Sequence, residues 1–167
     1  MAETQRVPEP GDGDERSVLV GWLAFHRNAL EAKCAGLTAE QLAARSAEPS
    51  SMSLLGLVRH LAEMERAYGV WGNGCTCELV TLWGEYVDGG PHHDFDTDAS
   101  QVEKSMRVWR DEVASTDGTI KGLALDDAGG ANGRSVRWNL HKLLGEYARH
   151  NGHADLIRER IDGATGE

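Results

Sequence analysis

The stretch Leu140–Ile161, LHKLLGEYARHNGHADLIRERI, most constrains what this chain can become. Apolar residues fall at Leu140, Leu143, Leu144, Tyr147, Ala154, Ile157 and Ile161, which is helical spacing. A helix this long with one apolar stripe must bury that stripe against other elements. On its flank stand Glu146 and His150, four residues apart and therefore one turn apart on one face. A carboxylate and an imidazole placed this way can bind one divalent ion together. They can also be an ordinary hydrogen-bonded pair on a solvated face, and the spacing alone does not separate the two.

Three more stretches repeat the helical pattern. The first runs from Asp14 to Ala35, with Leu19, Trp22, Leu23, Leu30 and Cys34 inward and Gly36 as its left-handed stop. His26 falls on this stripe and reads as a hydrogen-bonded core histidine. The second starts at the N-cap candidate Ser53 and runs to Trp71, with Leu54, Leu57, Leu61, Met64, Tyr68 and Trp71 inward. His60 lies on or beside that face. Taken by itself it reads as structural. The third begins at Thr97 or Asp98 and runs to Ser115, on Val102, Met106, Trp109 and Val113, with Asp117-Gly118 closing it. A short helix is expected at Thr38–Gln41, which has capping-box spacing. Gly163 ends the last helix, and the Ala128–Gly133 run is a turn before Ser135. Strand patterns are weak, so the expected fold class is all-α, a four-helix bundle.

Residues 72–96 form a long loop between the second and third long helices, rich in glycine and carrying Trp83 and Tyr86. Loops of this length often wall or cover a functional site. Cys75-Thr76-Cys77 lacks the second pair that zinc motifs have. His92-His93 with Asp94 and Asp96 reads as a solvated loop, because adjacent side chains rarely converge on one ion.

The 167 residues suit one domain, 14–167, after a polar lead-in over residues 1–13 that is expected to be disordered. The net charge of -10 argues against a nucleic-acid partner and against an anionic membrane surface. No apolar run approaches the roughly 18 residues of a spanning helix. The N-terminus lacks a signal peptide's apolar segment. A cytoplasmic protein is expected, with Cys34, Cys75 and Cys77 reduced.

Bundle helices bring side chains together at one end of a core. His60 on the second helix, with Glu146 and His150 on the fourth, makes two imidazoles and one carboxylate, the donor set of open zinc sites. Nickel, iron and copper accept the same donors.

The segments SLLGLVRHLAEMER and EYARHNGHADLIRERIDGATGE resemble the DinB-like superfamily of bacterial four-helix proteins, in particular an actinobacterial branch marked by HNGHADLIRE. The resemblance runs from about Glu15 to Glu167. It implies a metal site of one His on the second helix and an H-X-X-X-H pair on the last. His60 and His150 match two of these positions, and Glu146 stands where many relatives have His. The mycothiol-dependent maleylpyruvate isomerases also have Glu there. His153 is the candidate catalytic residue: it would orient Glu146, bind substrate, or act as a base. The resemblance further implies a homodimer that uses a divalent ion (zinc, with nickel or iron as alternatives) and a low-molecular-weight thiol cosubstrate such as mycothiol. The expected activity is thiol S-transfer, with the electrophile approaching a wall of Trp71, Trp83 and Tyr86. A metal-dependent hydrolase with His153 as base, and a non-enzymatic dimeric bundle with a structural metal, are the alternatives.

Overall fold

The computed structural model describes residues 6–74, 78–84 and 93–166. The described residues form five α-helices: α1 (Glu15–Cys34), α2 (Ala39–Ala43), α3 (Leu54–Met64), α4 (Val102–Ile120) and α5 (Val136–Asp162). No strand occurs among the described residues, so the all-α bundle expected from the periodicity is what the chain forms. Among those residues no helix is long and apolar enough to cross a membrane. Tyr86, Cys75, Cys77 and His92 lie outside the described residues.

Local chemistry sets most helix ends. Asp14 caps α1 by accepting from Ser17 N–H, Thr38 and Gln41 close a capping box on α2, and Ser53 accepts from Gly56 N–H at α3. Gly163 ends α5 at φ 76°, its N–H reaching Glu159 O at 2.8 Å. Three boundaries differ from expectation, the first being the start of α4, which is Val102 rather than Thr97 or Asp98, after a 3-10 turn at Ala99–Gln101. Helix α5 begins at Val136, because Ser135 caps it through Trp138 N–H. Helix α4 runs through Asp117-Gly118 to Ile120. The buried series Trp109, Glu112, Thr116, Ile120 continues its inner stripe past Ser115, and that packing outweighs the helix-weakening glycine.

The long helices pack α1 on α5, and α3 on both α4 and α5. Leu23, Leu30, Leu57, Leu61, Leu140, Leu143 and Tyr147 form a core at or near zero exposure. Burying a leucine contributes about 1.5–3 kcal/mol, so this one core supplies most of the driving force. The lead-in is irregular from Arg6 onward, yet it lies along α1. Val7 N–H donates to Asn28 Oδ1 at 2.9 Å.

Beyond Met64 the α3 helix continues as a π-helix, Glu65–Trp71. Wide turns of this kind are rare and mark positions under a local constraint. Here the constraint is a buried ionic cluster. Glu65 is wholly buried. Its two oxygens accept from Arg27 Nε and a terminal nitrogen of Arg27, both at 2.7 Å. Tyr147 Oη donates to Glu65 Oε1 at 2.7 Å, and Trp109 Nε1 donates to Tyr147 Oη at 2.8 Å. One carboxylate thus joins α1, the π segment, α4 and α5. The π segment also approaches α4 so closely that a Cβ on Gly69 would stand 1.9 Å from Thr116 Oγ1. Only glycine fits there. The sequence pattern put Trp22 and His26 on the inner stripe of α1, whereas Arg27 takes the buried position. The anionic partner on α3 makes its burial possible.

Candidate metal centre

Leu57 and Leu61 anchor α3 in the core and leave His60 at its flank, while Leu143, Tyr147 and Ala154 do the same for Glu146 and His150 on α5. The two flanks face each other. Donor atoms of His60, Glu146 and His150 all lie within 4.8 Å of one another. Glu146 Oε2 is 3.7 Å from His60 Nε2 and 3.4 Å from His150 Nε2. The two imidazole centroids are 4.6 Å apart.

These separations suit a cation. A tetrahedral ion holds nitrogen and oxygen donors at about 2.0–2.2 Å, so neighbouring donors stand roughly 3.3–3.6 Å apart. His60 Nε2 is buried and makes no hydrogen bond. Such an atom is costly to leave unpaired, and it faces the other two donors. The residues present therefore fit a divalent ion.

Each donor is held from behind. His60 Nδ1 is 2.9 Å from Asp94 Oδ2, the carboxylate–histidine arrangement that fixes a ligand's tautomer and ring plane. Lys142, one turn before Glu146, bonds Glu146 Oε1 and leaves Oε2 to the imidazoles. His150 Nδ1 lies 3.2 Å from His153 Nδ1.

Electrostatics split the two imidazoles. Burial works to lower the pKa of His60, but its hydrogen bond to Asp94 and the nearness of Glu146 override it and raise it to about 9. Pairing with His60, reinforced by Lys142, draws Glu146 down to about 2 against its burial. Burial and then the charge on His60 push His150 down to about 4. The cluster at neutral pH is one cation, one anion and one neutral imidazole.

The cluster opens into a cavity of about 700 Å³ whose lining includes Arg45, Met52, Phe95 and Arg149. The 3-10 turn His93–Phe95 forms one wall. Arg59 pins it by donating to His93 O at 3.0 Å. Phe95 stacks on His60 with centroids 5.7 Å apart. A Cβ on Gly56 would meet Phe95 Cδ1 at 2.6 Å, so that glycine admits the ring.

Sequence reasoning placed His60, Glu146 and His150 together, and the structure does bring them together. It located other parts elsewhere. His153 meets His150 rather than Glu146. Trp71 and Trp83 are absent from the cavity lining. Trp83 instead donates its indole N–H to Arg59 O at 2.9 Å, with the Arg59 guanidinium 4.4 Å over its ring. The apolar wall is Met52 and Phe95. The loop read as solvated supplies Asp94 and Phe95 to the site. Lys142 was missed although its i, i+4 spacing to Glu146 was visible. His26 stands apart from the cluster, bonded through its carbonyl to Asn151 Nδ2 at 2.9 Å. Cys34 is buried between helices, its thiol pushed up to about 12 by burial.

Compared with known proteins, residues 18–163 match the family model described as mycothiol S-transferase. No curated protein and no solved structure matches the chain. The family match spans nearly every helix described above, including all three clustered donors. The chain therefore belongs to the mycothiol S-transferase family, within the DinB-like superfamily.

Proposed function

We propose that the protein is a divalent-metal-dependent S-transferase that joins mycothiol to a small electrophile, with His60, Glu146 and His150 as the metal ligands. The observation that carries this reading is the buried, unbonded His60 Nε2, 3.7 Å from a Glu146 Oε2 that is itself 3.4 Å from His150 Nε2, the three donors lying within 4.8 Å of one another beside an open cavity. Zinc suits two imidazoles and a carboxylate best, since it accepts this set in a four-coordinate site with one position left for substrate. When bound, the cation would supply Lewis acidity, holding the cosubstrate sulfur as its thiolate.

The protein's own residues do the remaining work. Asp94 fixes the ring of His60 so that Nε2 points into the cluster. Lys142 occupies one oxygen of Glu146, so that Glu146 offers a single donor. With Nε2 of His150 committed to the ion, its proton sits on Nδ1 and His153 Nδ1 accepts it. His153 thus serves as an orienting partner of His150. Met52 and Phe95 give the cavity an apolar wall against which the sulfur and its target can be held together.

The gain available from ionisation can be bounded. A free thiol at neutral pH is only a few per cent thiolate, so full ionisation raises the reactive population by roughly 30-fold. Positioning of the electrophile must supply the rest.

The test is loss of mycothiol in the presence of iodoacetamide, followed with zinc-loaded, chelator-treated and His60→Ala protein. Acceleration over the uncatalysed reaction is expected only in the loaded wild type. Equal rates in all three samples would overturn the reading.

A further inference from the structure

Acidic residues outnumber basic ones in this chain, 27 to 17, and several arginines are held in ion pairs with carboxylates. Arg27, Arg66, Arg110, Arg137 and Arg158 each have one. The two arginines that line the metal-centre cavity do not. Arg45 makes one long hydrogen bond, 3.3 Å to Phe95 O. Arg149, one residue before His150, makes no hydrogen bond or ion pair among the described residues. Of the lining carboxylates, Glu146 is committed to Lys142 and the imidazoles, and Asp96 lies within electrostatic reach of Arg59.

Two exposed guanidiniums that line one cavity, neither in an ion pair with a carboxylate among the described residues, can receive an anion there. A planar guanidinium binds a carboxylate through paired N–H donors. Arg45 enters from the segment after α2 and Arg149 from α5, so the anion would bridge two elements that the cavity separates. We infer that the electrophile carries a carboxylate, held by Arg45 and Arg149 while its reactive carbon faces the clustered donors. The inference rests on the S-transfer reading and names the class of its second substrate.

The charge requirement is tested with iodoacetate against iodoacetamide, near-isosteric electrophiles that differ in that charge. In both, the sulfur of mycothiol forms a bond to the CH2 carbon, iodide leaves with its electron pair, and the thiol proton goes to buffer. The readout is the ratio of kcat/KM for the two reagents, divided by the ratio of their second-order rate constants with mycothiol in uncatalysed solution. Wild type should favour iodoacetate. Arg45→Gln and Arg149→Gln should each reduce that ratio by about tenfold, the size of a lost charge-assisted contact, and Arg149→Lys should recover part of it. A wild-type ratio equal to that of solution, or a ratio unchanged in both Gln variants, would overturn the inference. A KM for mycothiol that rises equally with both reagents would also overturn it, because the anion would then belong to the thiol.

A second measurement needs no turnover. Succinate titrated calorimetrically into chelator-treated protein should bind, and binding should disappear in the Arg45→Gln/Arg149→Gln double variant. Succinate that binds both proteins equally, or neither, overturns the anion site. Succinate bound by wild type alone, with no acceleration of thiol loss by either reagent, upholds the anion site and sinks the transferase reading instead.

Discussion

Asp94 Oδ2 lies 2.9 Å from His60 Nδ1, and this contact joins a loop residue to a helix residue 34 positions away. It decides which nitrogen of His60 faces the cluster. With Asp94 accepting from Nδ1–H, that nitrogen keeps its proton, and Nε2 is the nitrogen that faces Glu146 and would ligate an ion.

Removing that carboxylate should therefore weaken the site without dismantling it. Partners of metal-bound histidines are worth about 10–100-fold in affinity. Asp94→Ala is expected to lose zinc affinity by that factor, and Asp94→Asn by less, since an amide oxygen still accepts from Nδ1–H. Competition against a chromophoric chelator measures both. An Asp94→Ala affinity equal to wild type would remove Asp94 from the site.

The contrast between His60 and Asp94 shows which parts of the site are legible in a sequence. His60, Glu146 and His150 lie on long helices, where a 3.6-residue period fixes the face each residue presents. Once the helices are assigned, their convergence needs only a bundle. Asp94 lies in a 3-10 turn after a long irregular stretch, and no period relates it to α3. Its position follows from Arg59 holding His93 O and from Gly56 admitting Phe95, both long-range contacts. The π segment was hidden for a similar reason. Its residues keep an ordinary helical stripe, and only the Arg27–Glu65 pair and the close approach at Gly69 reveal the wider turn.

That pair makes its own prediction. Glu65 is fully buried and balanced by Arg27, Tyr147 and Trp109 acting in series. Breaking a buried ion pair from one side costs about 3–5 kcal/mol, because the partner charge is left uncompensated. Glu65→Ala should reach that range in urea unfolding. Tyr147→Phe removes one hydrogen bond to the charged group and should cost about 1.5–3 kcal/mol. The double variant Arg27→Met/Glu65→Leu should cost clearly less than Glu65→Ala, since no charge remains. If Glu65→Ala shifts stability by under 1 kcal/mol, the cluster is not the bundle's polar anchor.

Cys34 should take no part in the chemistry. It is 6% exposed, and burial has raised its thiol to about 12, so the thiolate is scarce at neutral pH. Mass spectrometry after brief iodoacetamide treatment of the folded protein should find Cys34 unmodified, and modified after denaturation. Cys34→Ala should keep its zinc and its thiol transfer, at a stability cost of about 1 kcal/mol for a small buried side chain. Labelling of Cys34 in the folded state would contradict its placement between the helices.

The split between the two imidazoles fixes how the site responds to pH. Metal-free protein holds His60 protonated up to about pH 9, His150 neutral above about 4, and Glu146 ionised above about 2. A cation needs both imidazoles neutral, so binding at pH 7 must displace one proton, from His60, and none from His150. Affinity should rise about tenfold per pH unit between about 4 and 9, then level off. The sign for folding is opposite. A raised histidine pKa contributes stability that is fully present below the unfolded value of about 6.5 and is lost as pH climbs towards 9. Metal-free protein should therefore lose stability over that window, while zinc binds more tightly. Calorimetry in buffers of differing ionisation enthalpy counts the protons directly, and one per zinc is expected at pH 7. Asp94→Asn, which removes the charge holding His60 protonated, should release less than one at pH 8. Release of two protons at pH 7, or of none, would show that the pair is not divided between a charged His60 and a neutral His150.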